Sequence, residues 1–289
     1  MPRKAISPSS EVKKSLRQSG LKARKGLGQH FLTDRSVVEN IASAAELTPH
    51  DFVIEIGPGL GILTSALTQK AGQVVAIELD TRLASQLRHK LSSLPNITII
   101  NADILEIDLS EILGDSKSYK VVANIPYYIT SPILHYFIKA TIKPSLMVVM
   151  VQKEVGDTIV AQAGAMSVLA VTMQVYSKPR IISYVSAQSF YPPPKVDSAI
   201  VCFNMLAQPA VKVADIESFL AFVRCGFRAP RKQLHNSLAQ GLNTKPGEII
   251  PLLAESHIEP QRRPETLTIT EWETLYEVAV KSGKAPLPC

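Results

Sequence analysis

Residues 51–64 read Asp-Phe-Val-Ile-Glu-Ile-Gly-Pro-Gly-Leu-Gly-Ile-Leu-Thr. Asp51 to Ile56 is mostly apolar, as a strand is when both its faces are covered. Gly57, Gly59 and Gly61 then turn the backbone without side chains, and helical spacing runs from Ile62 to Lys70. Glycines at the C-terminal end of a first strand let backbone approach a ligand that side chains would obstruct. Taken alone, the pattern fits an ordinary tight strand-to-helix turn as well as a dinucleotide-binding fold.

The same texture repeats downstream. Gln73 to Leu79 forms a second apolar strand, with Asp80 placed to cap a helix reaching about Ser93. Ile97 to Asn101 and Lys120 to Ile125 read as two more strands, before a helix from about Pro132 and a buried strand from Leu146 to Val151. Upstream, apolar residues recur at helical spacing from Asp34 to Leu47, with Thr33 or Asp34 as N-cap. Continuously apolar strands alternating with helices predict a parallel sheet covered on both faces, in a doubly wound, Rossmann-like α/β domain. After Asn204 a short polar linker precedes amphipathic helices near Asp215 to Phe227, Arg231 to Ala239, Glu248 to Ser256 and Thr270 to Lys281. The expected organisation is a disordered basic tail over 1–20, the α/β domain over 21–205 and a small α-helical domain over 210–289.

At 289 residues, 46% hydrophobic, the chain can bury a sizeable core, which excludes a mostly disordered or fibrous protein. No apolar run approaches the roughly 20 residues that cross a bilayer, so no membrane partner is expected. Cys202, Cys225 and Cys289 form no close pair and leave one over. Neither a disulfide framework nor a metal cage is written, and the expected compartment is reducing and cytoplasmic. The net charge of +6 is unevenly placed: residues 1–25 carry Arg3, Lys4, Lys13, Lys14, Arg17, Lys22, Arg24 and Lys25 against Glu11 alone. Ser218 to Gly247 has no acid and carries Arg224, Arg228, Arg231, Lys232 and Lys245. A solvated surface explains either patch singly; together they point to a polyanion such as nucleic acid. The basic, acid-poor start lacks the apolar segment of a secretory signal and fits either a mobile arm or an organellar transit peptide.

The chemistry sits at strand ends. Glu78 ends the second strand, where a carboxylate can accept both hydroxyls of a ribose. Asp103 follows the third, within reach of an adenine amino group. Singly, each is as well read as a helix cap or a solvated acid; with the glycine loop they point to a nucleoside-bearing cofactor. Asn124-Ile-Pro-Tyr-Tyr128 ends the fourth strand. An exocyclic adenine amine is a poor nucleophile because its lone pair is delocalised. Accepting its two hydrogens on the Asn124 side-chain carbonyl and the Ile125 main-chain carbonyl would localise that pair. Pro126 stiffens the turn, and Tyr127 can stack on a base withdrawn from its helix. Such chemistry needs no metal and no covalent nucleophile, because S-adenosylmethionine carries an activated methyl group. A buried Asn and two Tyr in a β-turn is the plainer alternative.

From about Lys25 to the last helix, the chain resembles the KsgA (RsmA) family of S-adenosylmethionine-dependent rRNA adenine dimethyltransferases. The resemblance lies in Gly26-Leu-Gly-Gln-His-Phe-Leu32, Glu55 to Thr64, Glu78-Leu-Asp80, Asn101-Ala-Asp-Ile-Leu105 and Asn124 to Tyr128. Gln152-Lys-Glu-Val-Gly-Asp157 and Phe190-Tyr-Pro-Pro-Pro-Lys-Val-Asp-Ser198 are more specific to the family. It implies cofactor contacts at His30, Leu32, Gly57, Glu78, Asp103 and Asn124, and catalytic roles for Asn124, Ile125, Tyr127 and Phe190, with Phe190 opposite Tyr127 against the target base. His30 stands where the family usually has Asn, and Ala229-Pro230 interrupts the family's basic helical segment.

The implied activity is N6 dimethylation of two adjacent adenosines near the 3′ end of small-subunit (16S) rRNA, during ribosome biogenesis. The expected partners are that RNA and the immature small subunit, bound by a monomer through Lys22, Arg24, Lys25, Arg224, Arg228, Arg231 and Lys232. Two rivals share the fold. A large-subunit enzyme conferring antibiotic resistance is disfavoured by the two specific signatures, and a non-catalytic assembly or nucleic-acid-binding factor by the intact Asn124-Ile-Pro-Tyr. A NAD-dependent oxidoreductase would need a hydride-transfer site, which the sequence does not display.

Overall fold

A computed structural model describes Leu16 and residues 23–114 and 116–285. The expected basic tail lies, Leu16 apart, outside the described residues. The elements are β1 (Phe31–Leu32), α1 (Arg35–Ala44), β2 (Phe52–Ile56), α2 (Ile62–Thr68), β3 (Gln73–Glu78), α3 (Thr81–Lys90), β4 (Ile97–Asn101), α4 (Leu109–Leu113), β5 (Lys120–Asn124) and α5 (Thr130–Lys139). They continue with β6 (Leu146–Gln152), α6 (Lys153–Ile159), α7 (Val168–Tyr176), β7 (Ser177–Val185), β8 (Phe190–Tyr191), β9 (Ser198–Met205), α8 (Ile216–Gly226), α9 (Leu234–Leu242), α10 (Pro246–Glu255) and α11 (Ile269–Lys281).

Seven strands form one sheet in the order β4-β3-β2-β5-β6-β9-β7. β2 pairs parallel with β3 and β5, β3 with β4, and β5 with β6, whereas β9 runs antiparallel to β6. The fold is the expected Rossmann-like α/β arrangement. β2 is buried along its whole length and β5 over Val121–Ala123, as apolar runs covered on both faces must be. Chain order reverses at β2, between β3 and β5, so the carboxyl ends of those strands flank the crevice where open α/β sheets hold ligands. The antiparallel β9 and the two-stranded β1–β8 ribbon are additions to the expected pattern. The ribbon pairs Phe31 with Tyr191 and Leu32 with Phe190, and so brings the start of the domain onto the loop before β9.

The chain divides into two compact units, one ending at Gly156 and resuming over Arg180–Met205, the other formed by Asp157–Pro179 and the residues from Leu206 on. Asp157–Pro179 thus groups with the helical segment, although its sequence reads as part of the α/β stretch. In the second unit Phe219, Phe222, Trp272 and Tyr276 are buried and meet edge to face, with centroids 5.6–6.4 Å apart. Thr268 and Glu271 form a reciprocal capping box at the start of α11, and Glu271 also pairs with Arg262.

Candidate active site

The glycine loop, the ends of β3, β4 and β5, and residues 27–32 enclose a cavity of about 170 Å³ in the first unit. Gly57, Gly59 and Gly61 all have positive φ. At Gly57 (φ +64) and Gly61 (φ +75) this is a conformation that side chains resist, and a Cβ on Gly61 would stand 2.3 Å from Leu87 Cδ1. The loop therefore turns tightly enough to present its backbone to the cavity. Glu55, the last-but-one residue of β2, is 1% exposed, and its Oε2 has no hydrogen-bond partner. Burial pushes its carboxyl up to about 8, helped by the nearby Glu78 and opposed by hydrogen bonding to Thr64.

Glu78 is also buried, and its two oxygens are held by the chain itself: Oε2 accepts from the Gly59 amide (3.0 Å) and Oε1 from the Asp80 amide (2.9 Å). Burial raises its pKa against those two bonds. Asp80 caps α3 through the Arg82 amide, while its other oxygen receives the Gln29 side chain (3.3 Å) and the Arg24 guanidinium (3.3 Å). One chain of polar contacts thus runs from residues 24–29 through Asp80 to Glu78 and the glycine loop. Asp103 Oδ1 accepts from the Leu105 amide, leaving its side chain at the cavity wall. Asn101 donates to the Glu78 carbonyl (2.8 Å) and locks the ends of β3 and β4 together.

The Asn124-Ile-Pro-Tyr turn leaves the sheet at Asn124, whose Nδ2 donates to the His30 carbonyl (3.3 Å), so that Oδ1 is the end of the amide left to accept. The Ile125 amide donates to the Met150 carbonyl and fixes the turn to β6. Tyr127 shares a 2.7 Å hydrogen bond with the buried Ser198, and burial raises its phenol pKa. Its ring lies nearly parallel to that of His30, centroids 6.1 Å apart at 22°.

His30, Leu32, Gly57, Glu78, Asp103, Asn124, Ile125 and Tyr127 all line the cavity. Phe190 is not among them. Pairing with Leu32 in the ribbon turns its ring into the core, 2% exposed, in one cluster with Leu32 and Val185. Glu55, Asp80, Ser198 and the side chain of Gln29 were not foreseen in the site. Glu55 was hidden by its place in an apolar strand, and the others act through partners 51 or more residues away.

The family model for ribosomal RNA adenine dimethylase matches residues 20–280. The chain belongs to the ribosomal RNA adenine dimethylase family. This dimethylase is 47% identical over 266 residues to the ribosomal RNA small subunit methyltransferase A of Dehalococcoides mccartyi, covering 92% of this chain and 91% of the relative. The crystal structure of the 23S rRNA methyltransferase ErmE superposes with a TM-score of 0.70 at 31% identity, over 86% of this chain and 98% of that one. A dimethyladenosine transferase from Plasmodium falciparum, at 24% identity, shares the fold with a TM-score of 0.75 over 89% and 99% of the two chains.

Arg224, Arg228, Arg231 and Lys232 of this dimethylase are exposed. At the other end of the chain, Lys22 lies outside the described residues, Lys25 opens a 3-10 turn, and Arg24 is held by Asp80. No cluster of metal-ligating side chains occurs among the described residues, and none of their helices is long and apolar enough to cross a membrane.

Proposed function

We propose that this dimethylase uses S-adenosylmethionine to dimethylate N6 of two adjacent adenosines in the 3′-terminal hairpin of 16S rRNA, acting as a cytoplasmic monomer on the immature small subunit. The observation that carries the proposal is the Asn124 amide, tied through Nδ2 to His30 at the end of a cavity that begins at the glycine loop. The cavity suits the cofactor: Gly57 presents bare backbone, Glu78 stands ready for ribose hydroxyls, Asp103 for an adenine amine, and the unpartnered Glu55 oxygen for a cationic group. Bound there, the cofactor supplies a methyl group already activated on a sulfonium.

The chain's part is positioning. Asn124 Oδ1 and the Ile125 carbonyl accept the two N6 hydrogens, which localises the lone pair, and Tyr127 offers its ring to the extruded base. The methylated nitrogen is transiently cationic and acidic, so its surplus proton leaves without a strong base. Arg224, Arg228, Arg231 and Lys232 supply phosphate contacts, joined by Lys22, Lys25 and, when released from Asp80, Arg24.

The 31% identity to ErmE keeps a large-subunit substrate as the second reading, but the small-subunit relative is considerably more similar. The test offers labelled S-adenosylmethionine to undermethylated small and large subunits and maps the products by mass spectrometry. Dimethyladenosine on small-subunit rRNA alone, reduced roughly a hundredfold or more by Asn124→Ala, is the expected result. Label on the large subunit would favour the second reading. Tight subunit binding without transfer would make the protein an assembly factor.

A further inference from the structure

We propose that His30 is a positioning residue whose ring and carbonyl together set the geometry of the catalytic turn. The proposal rests on the methyl-transfer reading above and goes beyond the direct cofactor contact that family resemblance implies for this position. Three contacts meet on this one residue. Its Nδ1 lies 2.7 Å from the Pro192 carbonyl. A carbonyl can only accept, so Nδ1 carries the hydrogen. Its own carbonyl accepts from Asn124 Nδ2 at 3.3 Å. Its ring lies against Tyr127, with centroids 6.1 Å apart and planes at 22°.

The effect is a brace around Tyr127. One face of the phenol ring meets His30, and the hydroxyl at its far end is tied to Ser198, 2.7 Å away. Pro192 and Ser198 flank the same loop before β9, so His30 and Tyr127 close a ring of contacts through residues 30, 127, 198 and 192. Asn124 belongs to the same assembly, because the His30 carbonyl holds the amide nitrogen and thereby selects the oxygen for the substrate amine. The aromatic ring that lies against Tyr127 is that of His30. An Asn at this position could reach the Pro192 carbonyl but would offer Tyr127 no ring.

The test compares wild type with His30→Ala, His30→Asn and His30→Phe, alone and in a double-mutant cycle with Tyr127→Ala. Turnover is measured on undermethylated small subunits at saturating substrate, S-adenosylmethionine affinity is measured separately without RNA, and a melting curve accompanies each variant. Misplacing the turn is expected to lower kcat in His30→Ala and His30→Asn roughly ten- to a hundredfold, with cofactor Kd within about threefold of wild type. His30→Phe, which restores a ring, should recover part of the loss. Adding Tyr127→Ala to His30→Ala should cost no more than the larger single effect. Should His30→Ala fail to fold, His30→Asn carries the comparison.

A fall in cofactor affinity that matches the fall in turnover would overturn the proposal in favour of a direct cofactor contact, and fully additive effects would show His30 and Tyr127 acting independently. Wild-type protein that transfers no methyl group would refute the proposed function itself. Active wild type with unimpaired His30 variants would refute only the role of His30.

Discussion

Glu55 shows how much a single buried residue can tie folding to pH. Its carboxyl is neutral in the folded protein up to about pH 8 and ionised in the unfolded chain above its ordinary value of 4.5. The stability that goes with the folded state's tighter hold on this proton is therefore fully present below pH 4.5 and is lost as pH rises to about 8, by about 1.4 kcal/mol per unit at most. Denaturant titrations of ligand-free protein between pH 5 and 8 should show this slope, and Glu55→Gln, which cannot ionise, should flatten it. A cationic ligand reverses the preference. Binding of S-adenosylmethionine at pH 7 should then release a fraction of a proton, read by calorimetry in buffers of different ionisation enthalpy, and Glu55→Gln should abolish that release.

Among the elements, the glycine loop is where local geometry is least forgiving. Gly61→Ala places a methyl 2.3 Å from Leu87 Cδ1 at a residue with φ +75, and should destabilise the protein by about 1–3 kcal/mol, visible as a lower denaturant midpoint. Strands β2 to β6 were legible because parallel, doubly covered strands leave continuous apolar runs. The helices before β2 and after β3 were legible because Asp34 and Asp80 cap them as their sequence positions suggest. β9 was not. Ser198 to Phe203 is as buried as β6, but an apolar run carries no record of strand direction, and a two-residue ribbon such as β1–β8 has too few side chains to show a period. The core packing of Phe190 was hidden for the same reason. Its neighbourhood was visible, whereas the side of the ribbon it occupies depends on pairing with Leu32, more than 150 residues away.

On the scale of the whole molecule, charge divides the labour. The cavity is lined by the acids Glu55, Glu78 and Asp103, whereas Arg228 and Arg231 stand exposed in the helical unit. Reversing both, Arg228→Glu with Arg231→Glu, should weaken binding to small subunits and reduce the slope of log affinity against log salt by about one per lost phosphate contact, with S-adenosylmethionine affinity unchanged. The two basic patches were legible because charge is a property of composition. That Arg24 is engaged by Asp80 was not, since an ion pair across 56 positions leaves no local trace.

The antiparallel strand β9 has a consequence for the order of events during synthesis. The turn at Asn124 is complete as sequence long before Ser198 and Pro192 exist to hold it, and the loop that carries them is brought back by the pairing of Ser198–Asn204 with β6. A nascent chain that has released residues up to about 160 already contains the parallel strands β2 to β6, and so the glycine loop, but lacks the support for its tyrosine. The crevice at the ends of β2 to β5 and the brace around Tyr127 are therefore complete as sequence at different chain lengths, and the non-local contacts of the brace form more slowly.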